Sequence, residues 1–140
     1  MEYKRSGNTL IMRLDRGDEI TESLIEIAKR EKIKAGHFSA IGASDSLEIG
    51  VFDPKTKEYS VKKIEKDCKI ASLVGNFSTM QDKEYVHAHI VVASKDLKTV
   101  GGHLIKGIIS LTCEIFITVL DCELNRKRNE DVGINTFCFD

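Results

Sequence analysis

From His37 onward, the sequence alternates apolar and polar residues with a period of two, and this pattern most constrains the fold. Such alternation is typical of β-strands with one face on a core and the other exposed. Turn-like segments, among them the one containing Pro54, separate the alternating stretches. These stretches are HFSAIGA, SLEIGVFD, EYSVKKIEK, KIASLVGNFST, YVHAHIVVAS and CEIFITVLD. With NTLIMRLDRG near the N-terminus, the pattern predicts about seven strands.

Only one segment, DEITESLIEIAKREKI, has the periodicity of a helix. Its apolar residues at helical spacing are Ile20, Leu24, Ile27 and Ala28. They predict one principal helix over roughly Glu19–Glu31, with Asp18 as its N-terminal cap. One helix among about seven strands favours an α+β domain with a mainly antiparallel sheet. We expect a single domain over residues 1–140, with a core from 10 to 126 and a polar C-terminal tail.

The charge balance gives no support to a dedicated nucleic-acid-binding protein. The chain has 21 Lys and Arg against 22 Asp and Glu, for a formal net charge of −1. Proteins that bind nucleic acid usually carry a basic excess, because much of their affinity comes from neutralising phosphates. The basic cluster NRKR, at residues 125–128, is interpreted as part of a solvated tail after the last strand.

The cysteines and the N-terminus favour a cytoplasmic location. None of the four cysteines forms a C-x-x-C pair, so we expect free thiols in a reducing compartment. The segment MEYKRSGN lacks the apolar core of a signal peptide. No apolar run approaches the ~20 residues that span a membrane, so we expect no membrane partner.

Two histidines lie one residue apart in the predicted strand YVHAHIVVAS. Side chains alternate along a strand, so His87 and His89 share one face with Tyr85. The opposite face is wholly apolar and is predicted to lie on the core. An H-x-H pair on a strand can supply two ligands to one metal ion such as zinc. The alternative, two histidines at a surface or an interface, stays open.

A third ligand is available in VGGHLIKG, fourteen residues after His89. If the chain folds back after Ser94, His103 reaches the pair, and Gly101 and Gly102 permit a close approach of the backbone. Three histidines with an open position are typical of a catalytic zinc site. Glu114, on the polar face of the last strand, is a candidate fourth or neighbouring group. His37 is interpreted as a strand residue outside the site.

The ordered motifs SLVGNFS, HAHIVVAS, VGGHLIKG and CEIFI resemble the PPC (plant and prokaryote conserved) domain. The preceding LDRGDEITESLIEIAKREKI and AIGASDSLEIGVFD resemble its opening helix and following strands. The resemblance extends from about Met12 to Arg126. It implies a compact α+β fold similar to that of acetolactate decarboxylase, a zinc enzyme with a three-histidine site. It also implies assembly as a homotrimer.

The resemblance extends to individual site residues. It implies that His87, His89 and His103 hold a divalent metal, with zinc the expected ion. Asn76 falls at the family's G-N position and would line the same region. Arg126 falls near a family arginine position and is a candidate for a subunit contact.

In plants the domain accompanies an AT-hook, an R-G-R-P segment that enters the minor groove of DNA. Prokaryotic members are commonly labelled as candidates for DNA binding by that association. This sequence contains no R-G-R-P, so support for DNA as a partner is weak.

Three functions stay open at this point. The first is an assembly or regulatory module that binds nucleic acid weakly. The second is a metal-dependent enzyme, a lyase or decarboxylase acting on a small carbonyl acid, with Tyr85 or Glu114 as acid or base. This second function follows from analogy of fold, which does not fix a reaction. The third is a structural or sensory metal site, in which the ion holds strands or subunits together.

Overall fold

The computed structural model of the protein describes residues 1–139, which form one helix and nine strands. The elements are β1 (Glu2–Ser6), β2 (Thr9–Asp15), α1 (Ile20–Arg30), β3 (Gly36–Asp53), β4 (Glu58–Ile64), β5 (Cys68–Met80), β6 (Lys83–Ala93), β7 (Thr99–Val119), β8 (Asn125–Asn129) and β9 (Ile134–Cys138). All nine strands join one sheet, and every pairing is antiparallel except a single contact between β5 and β8. The predicted α+β class with a mainly antiparallel sheet is confirmed.

Two strands are much longer than the sequence pattern predicts. β3 has 18 residues and contains both HFSAIGA and SLEIGVFD, whereas β7 has 21 and contains both VGGHLIKG and CEIFITV. Shifts of register between Gly42 and Ser46 mark bulges, which bend β3 without ending its pairing with β7. β3 pairs with β5 and β7, and β6 pairs with the same two strands, so these four strands form a closed circuit.

The helix α1 packs the predicted apolar residues into the core, but its N-terminal cap differs from the prediction. Glu19 is the cap, and its carboxylate accepts hydrogen bonds from the backbone N–H groups of Glu22 and, across the fold, Gly107. Asp18 instead accepts from the Asp15 backbone and pairs with the N-terminal ammonium at 3.0 Å. The prediction of Asp18 as the cap is therefore wrong by one residue.

The core lies between α1 and one face of the sheet. The rings of Phe38 and Phe77 meet there at 5.2 Å between centroids, and both side chains are buried. The other face of the central strands carries several exposed apolar side chains, which alternate along the strands with the buried ones. These are Ile11, Ile41, Val74, Val91 and Phe116, and we call this surface the outer face. Within residues 1–139, no helix is long and apolar enough to cross a membrane.

The segment predicted as a solvated tail is a hairpin. β8 and β9 pair over five residues each, and the Thr79 N–H donates to the Leu124 carbonyl at 2.8 Å beside the junction with β5. Arg126, the second residue of β8, is only 8% exposed. The interpretation of NRKR as solvated is wrong for Arg126, whose side chain reaches the outer face of β5, whereas Asn125, Lys127 and Arg128 are exposed.

Candidate metal centre

Strand β6 places two of the histidines on one face, as its alternation predicts. Ala88, Ile90 and Val92 are buried in the core, whereas His87 is half-buried and His89 is exposed. The apolar residues fix the register of the strand, since a slip by one residue would move all of them to the outside. Burial of one face thus determines where both imidazoles point.

Strand β7 returns beside β6 and brings in the third histidine. The backbone turns at residues 94–98, where the Ser94 N–H donates to the Lys98 carbonyl at 3.0 Å. His103 then lies directly opposite His89 in the ladder. A Cβ on Gly101 would meet the Ile90 carbonyl at 2.6 Å, and one on Gly102 would meet Ile49 at 2.7 Å. The two glycines therefore allow the close packing that the sequence predicts.

The three imidazoles converge on one point. One ligand nitrogen from each of His87, His89 and His103 lies within 4.8 Å of the other two. The ring centroids are 5.0 Å apart for His87 and His89, 5.1 Å for His87 and His103, and 5.9 Å for His89 and His103. We call these residues the histidine cluster. Its nitrogens are close enough for small rotations of the rings to bring all three onto one ion.

The surroundings of His87 and His103 favour their neutral forms. Burial lowers the pKa of His87 to about 4, with further lowering from the neighbouring His103, Arg126 and His89. Burial also lowers the pKa of His103, and His89 adds to that effect. Neutral imidazole is the form that binds a metal, because protonation occupies the lone pair. His87 and His103 are therefore ready to bind a cation at neutral pH.

One nitrogen of the cluster has no partner within the chain. Among the buried side-chain nitrogen and oxygen atoms of residues 1–139, only His103 Nδ1 makes no hydrogen bond. Such an atom costs free energy unless a solvent molecule, an ion or a ligand satisfies it. Three converging imidazoles and this unpartnered nitrogen fit a divalent transition metal, for which imidazole is a preferred ligand.

Two of the predicted neighbouring residues lie beside the cluster. Asn76 is opposite His87 in the pairing of β5 with β6, and its Oδ1 accepts a hydrogen bond from Arg126 at 2.8 Å. Tyr85 lines the same cavity as His87 and accepts a hydrogen bond from the Asn135 amide at 3.3 Å. Both residues are tied to the β8–β9 hairpin.

Glu114 is not part of the cluster. It lies opposite Arg13 and Ile41, eleven residues along β7 from His103, or roughly 35 Å of extended strand. The prediction that Glu114 serves as a fourth or neighbouring group is wrong, because β7 is continuous and carries the two residues to opposite ends. His37 is exposed on β3 and lies outside the cluster, as the sequence interpretation has it.

The sequence interpretation missed the side of the site that the hairpin forms. A cavity of about 250 Å³ borders His87 and His103, and Arg128 and Asn135 of the hairpin also line it. The ring of Tyr59, another lining residue, lies 5.7 Å from His103. A signal for the hairpin exists in RKRNEDVGINTFCF, where two short runs flank Gly133, which has a φ of +76°.

Below the cavity, Arg126 holds the hairpin to the sheet. Its guanidinium donates to Ser78 Oγ at 2.9 Å, to the Asn135 carbonyl at 2.9 Å and to Asn76 Oδ1 at 2.8 Å. It also lies over the rings of Phe137, at 4.2 Å, and Tyr85, at 5.1 Å. Its contacts thus lie within this chain, at the base of the candidate site.

Comparison with solved structures supports the predicted fold. A Staphylococcus aureus protein of unknown function, described as similar to α-acetolactate decarboxylase, matches with a TM-score of 0.57 and 13% identity. The match covers 87% of this chain and 56% of that one, and at this identity it shows the fold alone. A comparison with curated proteins finds no match.

Closer relatives are similar over nearly their whole length. A structure from Bacteroides thetaiotaomicron, named a "putative DNA binding protein", has 33% identity and a TM-score of 0.96, covering 99% of this chain and 96% of that one. A "metal-containing protein" from Archaeoglobus fulgidus has 33% identity and a TM-score of 0.89, covering 99% and 97%. The model of the Plants and Prokaryotes Conserved (PCC) domain matches residues 1–121. This match, together with the fold and the motifs around the histidine cluster, shows that the chain belongs to the plant- and prokaryote-conserved domain family.

Proposed function

We propose that the protein is a divalent-metal-binding module, with His87, His89 and His103 as the ligands and zinc as the ion. The observation that carries the proposal is the convergence of three ligand nitrogens within 4.8 Å. The relative from Archaeoglobus fulgidus, described as metal-containing, adds support. Imidazole suits zinc as well as copper, iron and nickel, so the choice of zinc rests on its common use of three histidines.

The proposed site has an open side. No Asp, Glu or Cys of residues 1–139 joins the three histidines in the cluster. Zinc in structural sites takes four protein ligands, whereas three ligands leave a position for water or another molecule. That position favours a site that binds a further ligand over one in which the ion serves only to join strands.

The test is the metal content of the purified, untagged protein. We expect about one zinc per chain by elemental analysis after loading and desalting. The double variant His87→Ala plus His89→Ala should lose the metal, whereas His37→Ala should keep it because His37 lies outside the cluster. A wild-type protein that takes up no metal after incubation with zinc would contradict the proposal.

We infer further that the module assembles as a homotrimer. Support comes from the outer face, where Ile41, Val74 and Phe116 are 59%, 49% and 55% exposed. Phe116 lies opposite Ile11 on one side and Ser39 on the other, and Ser39 lies opposite Val74. Exposed apolar side chains grouped on one face of a folded chain favour an interaction surface.

A second candidate function is a metal-dependent enzyme acting on a small carbonyl acid. The observation that favours it is the cavity of about 250 Å³ beside His87 and His103, with the Tyr85 hydroxyl at its wall. A bound divalent metal supplies a Lewis acid that polarises a carbonyl. Tyr85 is then the candidate proton donor, and Tyr85→Phe should reduce turnover of any substrate without changing the zinc content.

The name of the Bacteroides relative refers to DNA binding. This function has less support in the present chain. The formal net charge is −1, and Arg126 of the basic cluster is buried. We expect no binding of a fluorescent 20-base-pair duplex at physiological salt, measured by anisotropy. Binding whose strength falls steeply with salt would instead support a nucleic-acid role, because phosphate contacts release counterions.

A cytoplasmic location completes the proposal. Cys68, Cys113 and Cys122 carry thiols that are not joined in disulfides. Burial raises the pKa of Cys113 to about 12, so this thiol stays protonated and unreactive. Such cysteines are typical of proteins from reducing compartments.

A further inference from the structure

The cavity beside the histidine cluster is lined without any acidic side chain. Among residues 1–139, its charged lining residue is Arg128, which lines it together with His87 and His103. The remaining polar groups of the wall, such as Tyr85 and Asn135, are neutral. The cavity therefore has nothing of its own to balance a positive charge placed in it.

A second cation lies beneath the cavity with neutral partners. Arg126 is 8% exposed, and its three hydrogen bonds go to a hydroxyl, a backbone carbonyl and a side-chain amide. Among the ion pairs of residues 1–139, none involves Arg126. The rings of Phe137 and Tyr85 lie against the guanidinium, but among residues 1–139 no carboxylate pairs with it, so its positive charge is not neutralised.

Strand alternation places Arg126 and Arg128 on the same face of β8, and Lys127 between them on the other face. The ladder pairs Arg128 with Asn135, which also lines the cavity. Within residues 1–139, the one acidic contact of Arg128 is Glu130 at 3.8 Å, and the Glu130 side chain is 83% exposed. Such an exposed pair is weak, so Arg128 is available to a stronger partner.

We propose that this cavity binds a small oxyanion, a carboxylate or a phosphate group, between Arg128 and the metal position of the histidine cluster. The proposal rests on the metal-binding function above, because histidine ligands carry no negative charge and would leave the two positive charges of a divalent ion uncompensated. A cleft lined by one sign of charge concentrates ligands of the opposite sign. A cavity of about 250 Å³ limits the ligand to a small molecule.

The experiment is isothermal titration of the zinc-loaded protein with three probes: pyruvate, its uncharged analogue pyruvamide, and inorganic phosphate. Pyruvate or phosphate should bind, and pyruvamide should bind at least tenfold more weakly than pyruvate. The variant Arg128→Gln should weaken oxyanion binding by about tenfold or more, since a hydrogen bond to a charged group is lost. The matched control Lys127→Gln removes the same charge from the other face of β8 and should change nothing.

The outcomes separate this proposal from the function on which it rests. Zinc content is measured on every sample, and Arg128→Gln should retain one zinc per chain. Zinc binding without any affinity for pyruvate or phosphate overturns the oxyanion site and leaves the metal site standing. Equal weakening by Arg128→Gln and Lys127→Gln also overturns it, because binding would then reflect overall charge. A wild-type protein without zinc overturns both proposals.

Discussion

At the scale of single residues, the pKa of His87 links the candidate site to stability. Its pKa lies at about 4 in the folded protein, mainly because of burial, whereas an unfolded histidine titrates near 6.5. Between these values the unfolded chain binds more protons than the folded one. The free energy of unfolding therefore rises with pH across this window and falls as the pH drops below about 6.5.

We predict that the metal-free protein loses stability between pH 7 and pH 5. Because His87 is only half-buried, we expect its protonation to lower the free energy of unfolding by about 1 kcal/mol at pH 5, after allowance for screening by solvent. Urea unfolding after treatment with a chelator, at one protein concentration throughout, measures the change. The variant His87→Asn should flatten the dependence on pH, and His37→Asn should preserve it. Identical pH profiles for wild type and His87→Asn would contradict the assigned environment.

The residues of the histidine cluster could be predicted because local patterns specify them. The apolar residues Ala88 and Ile90 fix the face of β6, and the paired glycines signal the close approach before His103. Glu114 could not be placed in the same way. Its position depends on β7 continuing through bulges over 21 residues, and no local pattern distinguishes one bent strand from two short ones.

At the scale of elements, the β8–β9 hairpin forms part of the wall of the site, and Arg126 attaches it to β5. The polar residues of NRKR suggest solvent exposure. In a strand, however, alternate residues face opposite sides, and a guanidinium can be buried where hydrogen-bond acceptors surround it. The acceptors come from Asn76 and Ser78, fifty and forty-eight residues earlier in the chain. Such a distant pairing is not visible in the sequence pattern.

We predict that Arg126→Leu detaches the hairpin from β5. The change leaves Asn76 Oδ1 and the Asn135 carbonyl without their donor and should cost about 2–4 kcal/mol. Hydrogen exchange should become faster in residues 125–138, and the unfolding midpoint should fall. Lys127→Leu, on the opposite face of the same strand, is the control and should have little effect on either. Protected amides in the Arg126→Leu hairpin would show that other contacts hold it.

At the scale of the whole molecule, the outer face is a surface of the sheet on which residues 1–139 leave several apolar side chains exposed. The central strands bury one face against α1 and expose Ile11, Ile41 and Phe116 on the other. The sequence pattern predicts the class of the fold, since alternation and one helix suffice for it. The closed circuit of β3, β5, β6 and β7 depends instead on pairings between distant residues.

We predict that Phe116→Asp prevents assembly. Light scattering on a sizing column should give the wild type a mass near three times the 15.7 kDa of one chain, and the variant a mass near one. A charge in the centre of an apolar interface is costly to bury, which is the reason for the effect. Leu97→Asp, which changes an 84% exposed side chain in the turn at residues 94–98, should remain trimeric. A wild type that elutes as a monomer would contradict the trimer.

The placement of all three imidazoles on two neighbouring strands affects how the chain responds to metal before it folds. The cluster lies within residues 87–103, a segment of 17 residues that a single turn reverses. Closing so short a loop costs little entropy, so an ion can bridge the histidines of the disordered chain. Zinc that binds the denatured ensemble stabilises that state as well. The net stabilisation of the native state by zinc should therefore be smaller than the zinc affinity of the native protein implies.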